Sequence, residues 1–477
     1  MLASLWARPA LESATRARRR PNCAMREYDL IVVGGGSGNM LFGPAFDGWK
    51  CAVIEQDRLG GTCLNRGCVP SKMFVVAADV ANSARESHRL NVHAHFDNVD
   101  WPALRDRVFA RIDPVHERGM HYRRKNGIDV YESRARFVGP KVLEVDGEQL
   151  TARHIVVAVG ARPTIPHLPG LDSVPFHTSD TIMRLDELPG SMVIIGGGYI
   201  AAEMGHVFSA FGTEVSLLQR GPRLLMAQDD DISARFTEIA SARMRVETGV
   251  THELVTHAGG RITITARIGT DESFTIEADT LLVATGRQPN SDHLEAAAGG
   301  LELDDHGHIV VDQFQRTNVD GVWAFGDVAN HYQLKHMANA EGRIVAHNLA
   351  HPAELRSLAG TLVPAAVFAD PQIASVGLTE RDARAQGLDV VVSIKPYSDT
   401  AYGWALEDTT SFVKVVADAA TRQILGAHII GPNAALLLQP LVQAMTFGQT
   451  ADQIAREVIY IHPALAEAVE QALLELP

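Results

Sequence analysis

A chain of 477 residues can bury a large core and is longer than one ordinary domain, so about two to four domains are expected. Its composition, 46% hydrophobic and 21% charged, is that of a globular protein, and no apolar run approaches a membrane-spanning length. The formal net charge of -14 argues against a nucleic acid or an anionic membrane as partner, and four cysteines in so long a chain fit a reducing cytoplasm.

Residues 1–24 carry Arg8, Arg16, Arg18, Arg19 and Arg20 against the single acid Glu12, and Met25 stands just before the first strand pattern. An Arg-rich, acid-poor leader can be a transit peptide. Because it lacks an amphipathic period, the segment reads instead as an extension from an upstream start codon, outside the fold.

The apolar run Tyr28 to Val33 has strand character and enters Gly34-Gly35-Gly36-Ser37-Gly38-Asn39. A second strand pattern, Cys51 to Ile54, ends at Glu55. Together they predict a βαβ dinucleotide-binding unit. Gly34 allows the tight turn, Gly36 lets a pyrophosphate approach the backbone at a helix N-terminus, and Glu55 accepts ribose hydroxyls. Asn39 takes the place of the third glycine, which predicts less close packing there.

Next comes Gly60-Gly61-Thr62-Cys63-Leu64-Asn65-Arg66-Gly67-Cys68-Val69-Pro70-Ser71-Lys72, with two of the four cysteines. In an ideal helix residues five apart have Cα atoms roughly 8.6 Å apart. A disulfide spans at most roughly 7 Å, so Cys63 and Cys68 can bridge only across irregular backbone. Gly60, Gly61 and Gly67 supply that freedom, Pro70 suits a first helical turn, and Met73 to Ala84 continues as helix. Thiolates near a helix start are stabilised and reactive. A reactive dithiol, a structural disulfide and half a metal site are the available readings. No further Cys or His lies at finger-like spacing, so no metal site is expected. A loop this short would add little stability, and redox chemistry is favoured.

Ile155 to Val159 is a strand followed by Gly160, and Leu281 to Thr285 followed by Gly286-Arg287 echoes it. Between them Ser191 to Ile195 enters a second glycine loop, Gly196-Gly197-Gly198-Tyr199-Ile200-Ala201; a helix pattern runs to Phe211, Gly212 stops it, and Glu214 to Leu218 forms the next strand. No acid closes that strand. Gln219-Arg220-Gly221-Pro222-Arg223 stands there, and Arg220 and Arg223 suit a 2′-phosphate, so the second site reads as NADP rather than NAD. Two dinucleotide folds imply FAD paired with NADPH. The echoing strands read as matched chain crossings that insert the NADPH unit, residues 161–286, into an FAD unit formed by residues 25–160 and 287–358. Val322 to Phe325, then Gly326 and Asp327, supply a third strand with an acid placed for a cofactor hydroxyl.

From residue 359 to 477 the pattern becomes a separate α+β unit without a nucleotide loop. Strands are expected at 365–368, 373–376, 390–394 and 412–416, with helices at 380–386 and 432–447. It ends in Ile461-His462-Pro463-Ala464-Leu465-Ala466-Glu467, where Pro463 can open a helix and His462 projects as a candidate acid or base.

At this point the chain resembles the class I flavoprotein disulfide reductases, which include glutathione reductase and dihydrolipoamide dehydrogenase. The resemblance covers residues 26–475 through the redox stretch, both glycine loops, Ala284-Thr285-Gly286-Arg287, Phe325-Gly326-Asp327 and His462-Pro463 with Glu467. The implied fold is α/β: two Rossmann-like dinucleotide-binding domains, the NADPH domain inserted in the FAD domain, plus a C-terminal α+β dimerisation domain.

The resemblance also implies roles. Cys63 would be the interchange thiol and Cys68 the thiol against the flavin, with Lys72 near the flavin ring and paired with Glu203. Tyr199 would gate the nicotinamide pocket. His462, oriented by Glu467 and preceding a cis proline bond, would serve the partner subunit of a homodimer. Electrons would pass from NADPH through FAD to a Cys63–Cys68 disulfide, and then by thiol exchange to a small-molecule disulfide, with ping-pong kinetics.

Within the family, the ending Leu473-Leu474-Glu475-Leu476-Pro477 lacks the extra cysteine pair of mercuric reductases and large thioredoxin reductases. The missing acid at Gln219 disfavours the NAD-dependent dihydrolipoamide dehydrogenases, whether free or as the flavoprotein subunit of a 2-oxoacid complex. Residues 401–408, 368–372 and the Gly-Ser-Gly-Asn loop ending are most similar to the mycothione reductase branch, which implies a cysteinyl pseudo-disaccharide disulfide as substrate.

Overall fold

The computed structural model describes residues 25–270 and 272–477, and the leader discussed above lies outside the described residues. The chain first lays down β1 (Arg26–Val33), β2 (Cys51–Ile54), β3 (Asp129–Tyr131), β4 (Arg136–Gly139), β5 (Val142–Val145) and β6 (Glu148–Val157). They form a sheet in the order β3-β2-β1-β6-β5-β4, parallel from β3 to β6 and antiparallel across β5 and β4. Apolar β-branched residues fill the parallel strands, because helices and loops cover both faces and no solvent face asks for alternation. Leu30, Ile31, Val32, Ile155, Val156 and Val157 are all fully buried.

The connection from β1 to β2 differs from expectation. In place of a crossover α-helix, residues Ser37–Leu41 and Pro44–Phe46 form two 3₁₀ turns. Gly43 and Pro44 interrupt the segment, the proline removing a backbone donor that a continued helix would use.

Strand β7 (Ala161–Pro163) leads to β8 (Ser191–Ile195), β9 (Glu214–Gln219) and β10 (Arg245–Thr248). An antiparallel meander follows: β11 (Val250–Ala258), β12 (Arg261–Ile268) and β13 (Phe274–Ala278). Strand β14 (Thr280–Val283) then joins a parallel sheet ordered β10-β9-β8-β14. Strand β15 (Arg287–Pro289) pairs antiparallel with β7, Ala161 opposite Pro289 and Pro163 opposite Arg287, so the two echoing segments of the sequence lie side by side. Strand β16 (Val322–Ala324) returns to the first sheet alongside Ile155 to Val157 of β6.

The last sheet runs β17-β18-β21-β20-β19, from β17 (Ala365–Val367), β18 (Ile373–Gly377), β19 (Val390–Pro396), β20 (Phe412–Asp418) and β21 (Ile424–Ile430). Helices Ala434–Thr446 and Ala466–Leu474 pack on it around Leu438, Leu441, Val469 and Leu473. Strand β21 lies in the middle of the sheet and was not expected from the sequence. The final helix also begins at Ala466, not at Pro463, which sits in the preceding turn after a cis His462-Pro463 bond.

Buried Lys414 on β20 fastens this sheet to the helix Asp230–Arg243. Its Nζ lies 2.8 Å from Asp229, 2.5 Å from Asp231 and 2.8 Å from Glu380. Three carboxylates around one ammonium compensate its desolvation.

Candidate active site

The redox stretch folds as two helical pieces, Gly61–Asn65 and Cys68–Glu86. Between them Arg66 has φ -152° and ψ 16°, and Gly67 has φ -136° and ψ -118°. This break is the irregularity that a Cys63–Cys68 bridge requires. Asn65 braces the first piece, its amide donating to Leu59 O at 3.1 Å and Gly61 O at 3.0 Å.

Both cysteines are free thiols here, Cys63 half-buried and Cys68 exposed, on either side of the break between the two helical pieces. The neighbouring Cys63 thiol, with help from the Lys72 charge, lowers the Cys68 thiol to about 7 against its partial desolvation. Beside Cys68, and through its own burial, Cys63 is pushed well up. The thiolate of the pair therefore rests on Cys68. Lys72 Nζ donates to Glu203 at 2.6 and 2.5 Å, and the Phe368 ring lies 4.7 Å beneath the ammonium. The Phe368 N–H donates to the same carboxylate at 3.0 Å, so buried Glu203 is held from two directions.

The first glycine loop turns at Gly34, φ +107°, where a Cβ would lie 2.3 Å from Ala158 O. Glu55 accepts the Gly35 N–H at 2.7 Å and the Asp57 N–H at 2.9 Å, while burial pushes its carboxyl up. Close packing falls on Gly38, whose added Cβ would sit 2.7 Å from Val32 Cγ1. Asn39 turns its amide back onto Gly35 O, so the glycine expected one residue later is replaced by this pair. A Cβ on Gly61 would lie 2.8 Å from Gly36 Cα, which brings the redox stretch against the loop. With no α-helix after Gly36, the N–H groups of a short turn stand where a helix N-terminus was expected.

Around this loop are groups that sequence reasoning passed over. Lys335 Nζ donates to Ser37 Oγ at 2.7 Å. Buried Glu341, pushed up to about 7 by burial, accepts the Gly326 N–H at 2.7 Å and so fixes the turn before Asp327. Asp327, at the mouth of β16, is pushed up by burial and opposed by Arg287 and Lys335. No local pattern marks Lys335, because its partner stands 298 positions away. Gly160 and Gly326, both with positive φ, turn the chain at the ends of β6 and β16. Backbone N–H groups, two acids and a lysine converging on one sheet end suit the ribose and pyrophosphate of FAD.

The second loop repeats the device. Gly196, φ +124°, would place a Cβ 2.2 Å from Ala284 O. Gly198 caps the helix Tyr199–Ala210, and a Cβ there would meet no protein atom within 4 Å. Tyr199 and Ile200 form its first turn, with Tyr199 42% exposed, while Glu203 points to Lys72 one turn on. Gln219 ends β9 against Gly197, a neutral amide where Glu55 is an acid. Arg220 is exposed beside it, whereas Arg223 is held by Asp230, 3.1 Å to its carbonyl and 3.3 Å to its carboxylate. Gly286 turns the chain at φ +120°, and Arg287 donates to Ala161 O at 2.6 Å across the paired crossings.

His462 Nδ1 lies 2.7 Å from Glu467 Oε1, and its side chain is 71% exposed. Among the described residues no hydrogen bond joins it to Cys63 or Cys68 within the chain. The dithiol, the Lys72–Glu203 pair, Thr62 and both glycine loops thus belong to one neighbourhood, and His462 with Glu467 forms a second group on the terminal unit.

Two nucleotide loops flanking a thiol pair define a flavoprotein disulfide reductase. Residues 28–342 match the pyridine nucleotide-disulphide oxidoreductase family and residues 363–473 its dimerisation domain, and the chain belongs to that family. It is 48% identical to mycothione reductase of Mycobacterium tuberculosis over 95% of this chain and all of that one. Dihydrolipoyl dehydrogenase of Halobacterium salinarum is 36% identical, covering 93% of this chain and 95% of that one. In structure the chain is similar to the HOCl-induced flavoprotein disulfide reductase of Escherichia coli, with a TM-score of 0.83 and 27% identity over 94% of this chain and all of that one. FAD and NADPH are its cofactors. Among the described residues no helix is long and apolar enough to cross a membrane.

Proposed function

We propose that the chain is an NADPH-dependent reductase of a low-molecular-weight thiol disulfide, with mycothione as substrate, acting as a cytoplasmic homodimer. The observation that carries the chemistry is the pair of thiols Cys63 and Cys68, set across the helix break at Arg66-Gly67 near the Lys72–Glu203 ion pair. The choice of substrate rests on full-length likeness to a mycothione reductase and on Gln219-Arg220 at the position where an NAD site carries an acid. We also propose the division into residues 25–160 with 287–358 for FAD, 161–286 for NADPH and 359–477 for dimerisation.

The cofactors supply the hydride and the electron pair that open the Cys63–Cys68 disulfide. Lys72, held by Glu203, keeps positive charge beside Cys68 so that the opened pair carries its thiolate there. Cys63, deprotonated by His462 of the partner subunit, attacks one sulfur of the substrate disulfide; a mixed disulfide forms, and the first substrate thiolate leaves and takes the proton from that histidine. Cys68 then attacks the Cys63 sulfur, restoring the internal disulfide and expelling the second substrate sulfur as a thiolate that takes its proton from solvent. Glu467 holds the imidazole in the required orientation.

Turnover of mycothione, glutathione disulfide and lipoamide, each with NADPH and NADH, tests this reading. Mycothione with NADPH should give the highest kcat/KM. Efficient lipoamide turnover with NADH would replace it with the dihydrolipoamide dehydrogenase reading.

A further inference from the structure

Away from the dithiol, two segments of the flavin-side unit bring a carboxylate and two imidazoles together. Asp304 and His308 sit on a tight hairpin whose arms meet through the Leu303–Ile309 bridge, and His331 comes from the stretch that follows Asp327 and Asn330. One oxygen is the hub: Asp304 Oδ2 lies 3.3 Å from His308 Nδ1 and 3.3 Å from His331 Nε2. The two imidazole rings meet edge to face with centroids 4.2 Å apart. One donor atom from each residue falls within a sphere where all three lie within 4.8 Å of one another.

We infer that Asp304, His308 and His331 form a binding site for a borderline divalent transition cation, Zn²⁺ being the representative. Two imidazole nitrogens and one carboxylate oxygen are a donor set suited to such ions, leaving a fourth position for water.

Several independent features fit this assignment. His308 is 6% exposed, and the one side-chain hydrogen bond of its ring joins Nδ1 to the Asp304 carboxylate. The backbone N–H groups of His308 and His306 donate to the other Asp304 oxygen, at 2.8 and 2.9 Å. That leaves Oδ2 for the cation and fixes the carboxylate as an outer shell of hydrogen bonds would. His331, with its side chain 65% exposed, provides the entry path.

The position gives the site a purpose. The Ile309 N–H donates to Val328 O at 2.8 Å, so the hairpin already lies along the chain that carries Asp327. A cation bridging Asp304 and His308 to His331 would clip both ends of that stretch and hold Asp327 at the mouth of β16. The site is a structural clip beside the flavin pocket, and it takes no part in electron transfer.

The test uses FAD-loaded enzyme in its oxidised state, where Cys63 and Cys68 are bridged and offer no thiolate to a metal, with Zn²⁺ added alone and followed by calorimetry and by metal analysis after gel filtration. One equivalent per chain is expected, accompanied by a rise in Tm. His331→Ala, an exposed position, should weaken binding by more than about tenfold and abolish the Tm rise. Asp304→Asn should do the same, and Cys63→Ser should leave both unchanged. Absence of binding by the oxidised enzyme, or equal binding by His331→Ala, overturns the assignment. Loss of binding in Cys63→Ser would place the ion at the dithiol and overturn it as well.

Discussion

Glu467 grips His462 from below: one carboxylate oxygen lies 2.7 Å from Nδ1 while the other accepts the Ala464 N–H at 3.2 Å. The second bond fixes the carboxylate on the turn before its helix, so the imidazole presents Nε2 outward. Contact with His462 lowers the Glu467 pKa. A depressed carboxyl contributes stability above its unfolded value and loses it as pH falls through the folded one. Glu467→Gln should therefore reduce kcat by on the order of tenfold to a hundredfold with little change in KM for NADPH, since only the orientation of the base is lost. Steady-state kinetics in the two substrates separate these effects.

His462→Gln should slow disulfide turnover by about 10²- to 10⁴-fold. The NADPH-driven opening of the Cys63–Cys68 bridge, read by thiol titration after one equivalent of NADPH, should proceed as in the parent. Equal loss in both half-reactions would place His462 elsewhere in the cycle.

Whether His462 serves the partner can be read by mixing subunits. His462→Gln and Cys63→Ser chains are each inactive alone, but a reassorted dimer contains one site with an intact cysteine from one chain and an intact histidine from the other. After unfolding and refolding together, roughly a quarter of parental activity should return, as expected for random pairing across a two-fold interface. No recovery from a mixture shown to contain heterodimer would refute the shared site.

In the NADPH-reduced enzyme the long-wavelength absorbance of the Cys68 thiolate against the flavin should titrate near pH 7, because Cys63 and Lys72 hold Cys68 at about 7. The anion is lost as pH falls through that value. Cys68→Ser should abolish the band, and Lys72→Met should move its midpoint upward. An unmoved midpoint would assign the effect to Cys63 alone.

Arg220→Ala should raise KM for NADPH by about 10- to 100-fold, the worth of a lost charge-assisted contact, and leave KM for NADH unchanged. Arg223→Ala should cost less, since Asp230 already holds that guanidinium.

Lys414→Met should destabilise the fold by about 3–5 kcal/mol, because Asp229 would remain buried without its cation. The Lys414 hydrogen bond lowers Glu380 and, against burial, Asp229, so the contribution is present at neutral pH and fades as both carboxyls protonate in acid. A drop in Tm that is full at pH 7 and narrows only as pH falls below about 4 is the expected signature.

Much of the nucleotide-binding framework could be read residue by residue. Gly196 to Gly198 opens the helix Tyr199–Ala210, and Gly212, with φ +102°, ends it as the local pattern requires. Strand β21 escaped notice because Ile424–Ile430 is buried almost throughout at the centre of its sheet, so it shows no alternation between faces. The meander β11–β13 does alternate, yet no nucleotide motif drew attention to it. The crossover after Gly36 was misread because a glycine loop normally opens a helix, while Gly43-Pro44 here allows only 3₁₀ turns. Within the site, cysteines and glycines were legible through their rarity and spacing. Lys335, Glu341 and the Asp304 cluster were not, since their meaning lies in contacts between distant segments.

The pairing of β7 with β15 has a consequence for how this chain can be re-engineered. The strand that leaves the flavin-side sheet and the strand that comes back are hydrogen-bonded neighbours, so the chain between Pro163 and Arg287 departs and returns through a single two-strand stem. Its ends are already held at a fixed distance. A different nucleotide-binding module could therefore be transplanted onto that stem without redrawing the host sheet, provided the graft brings its own acids for Lys72 and Lys414.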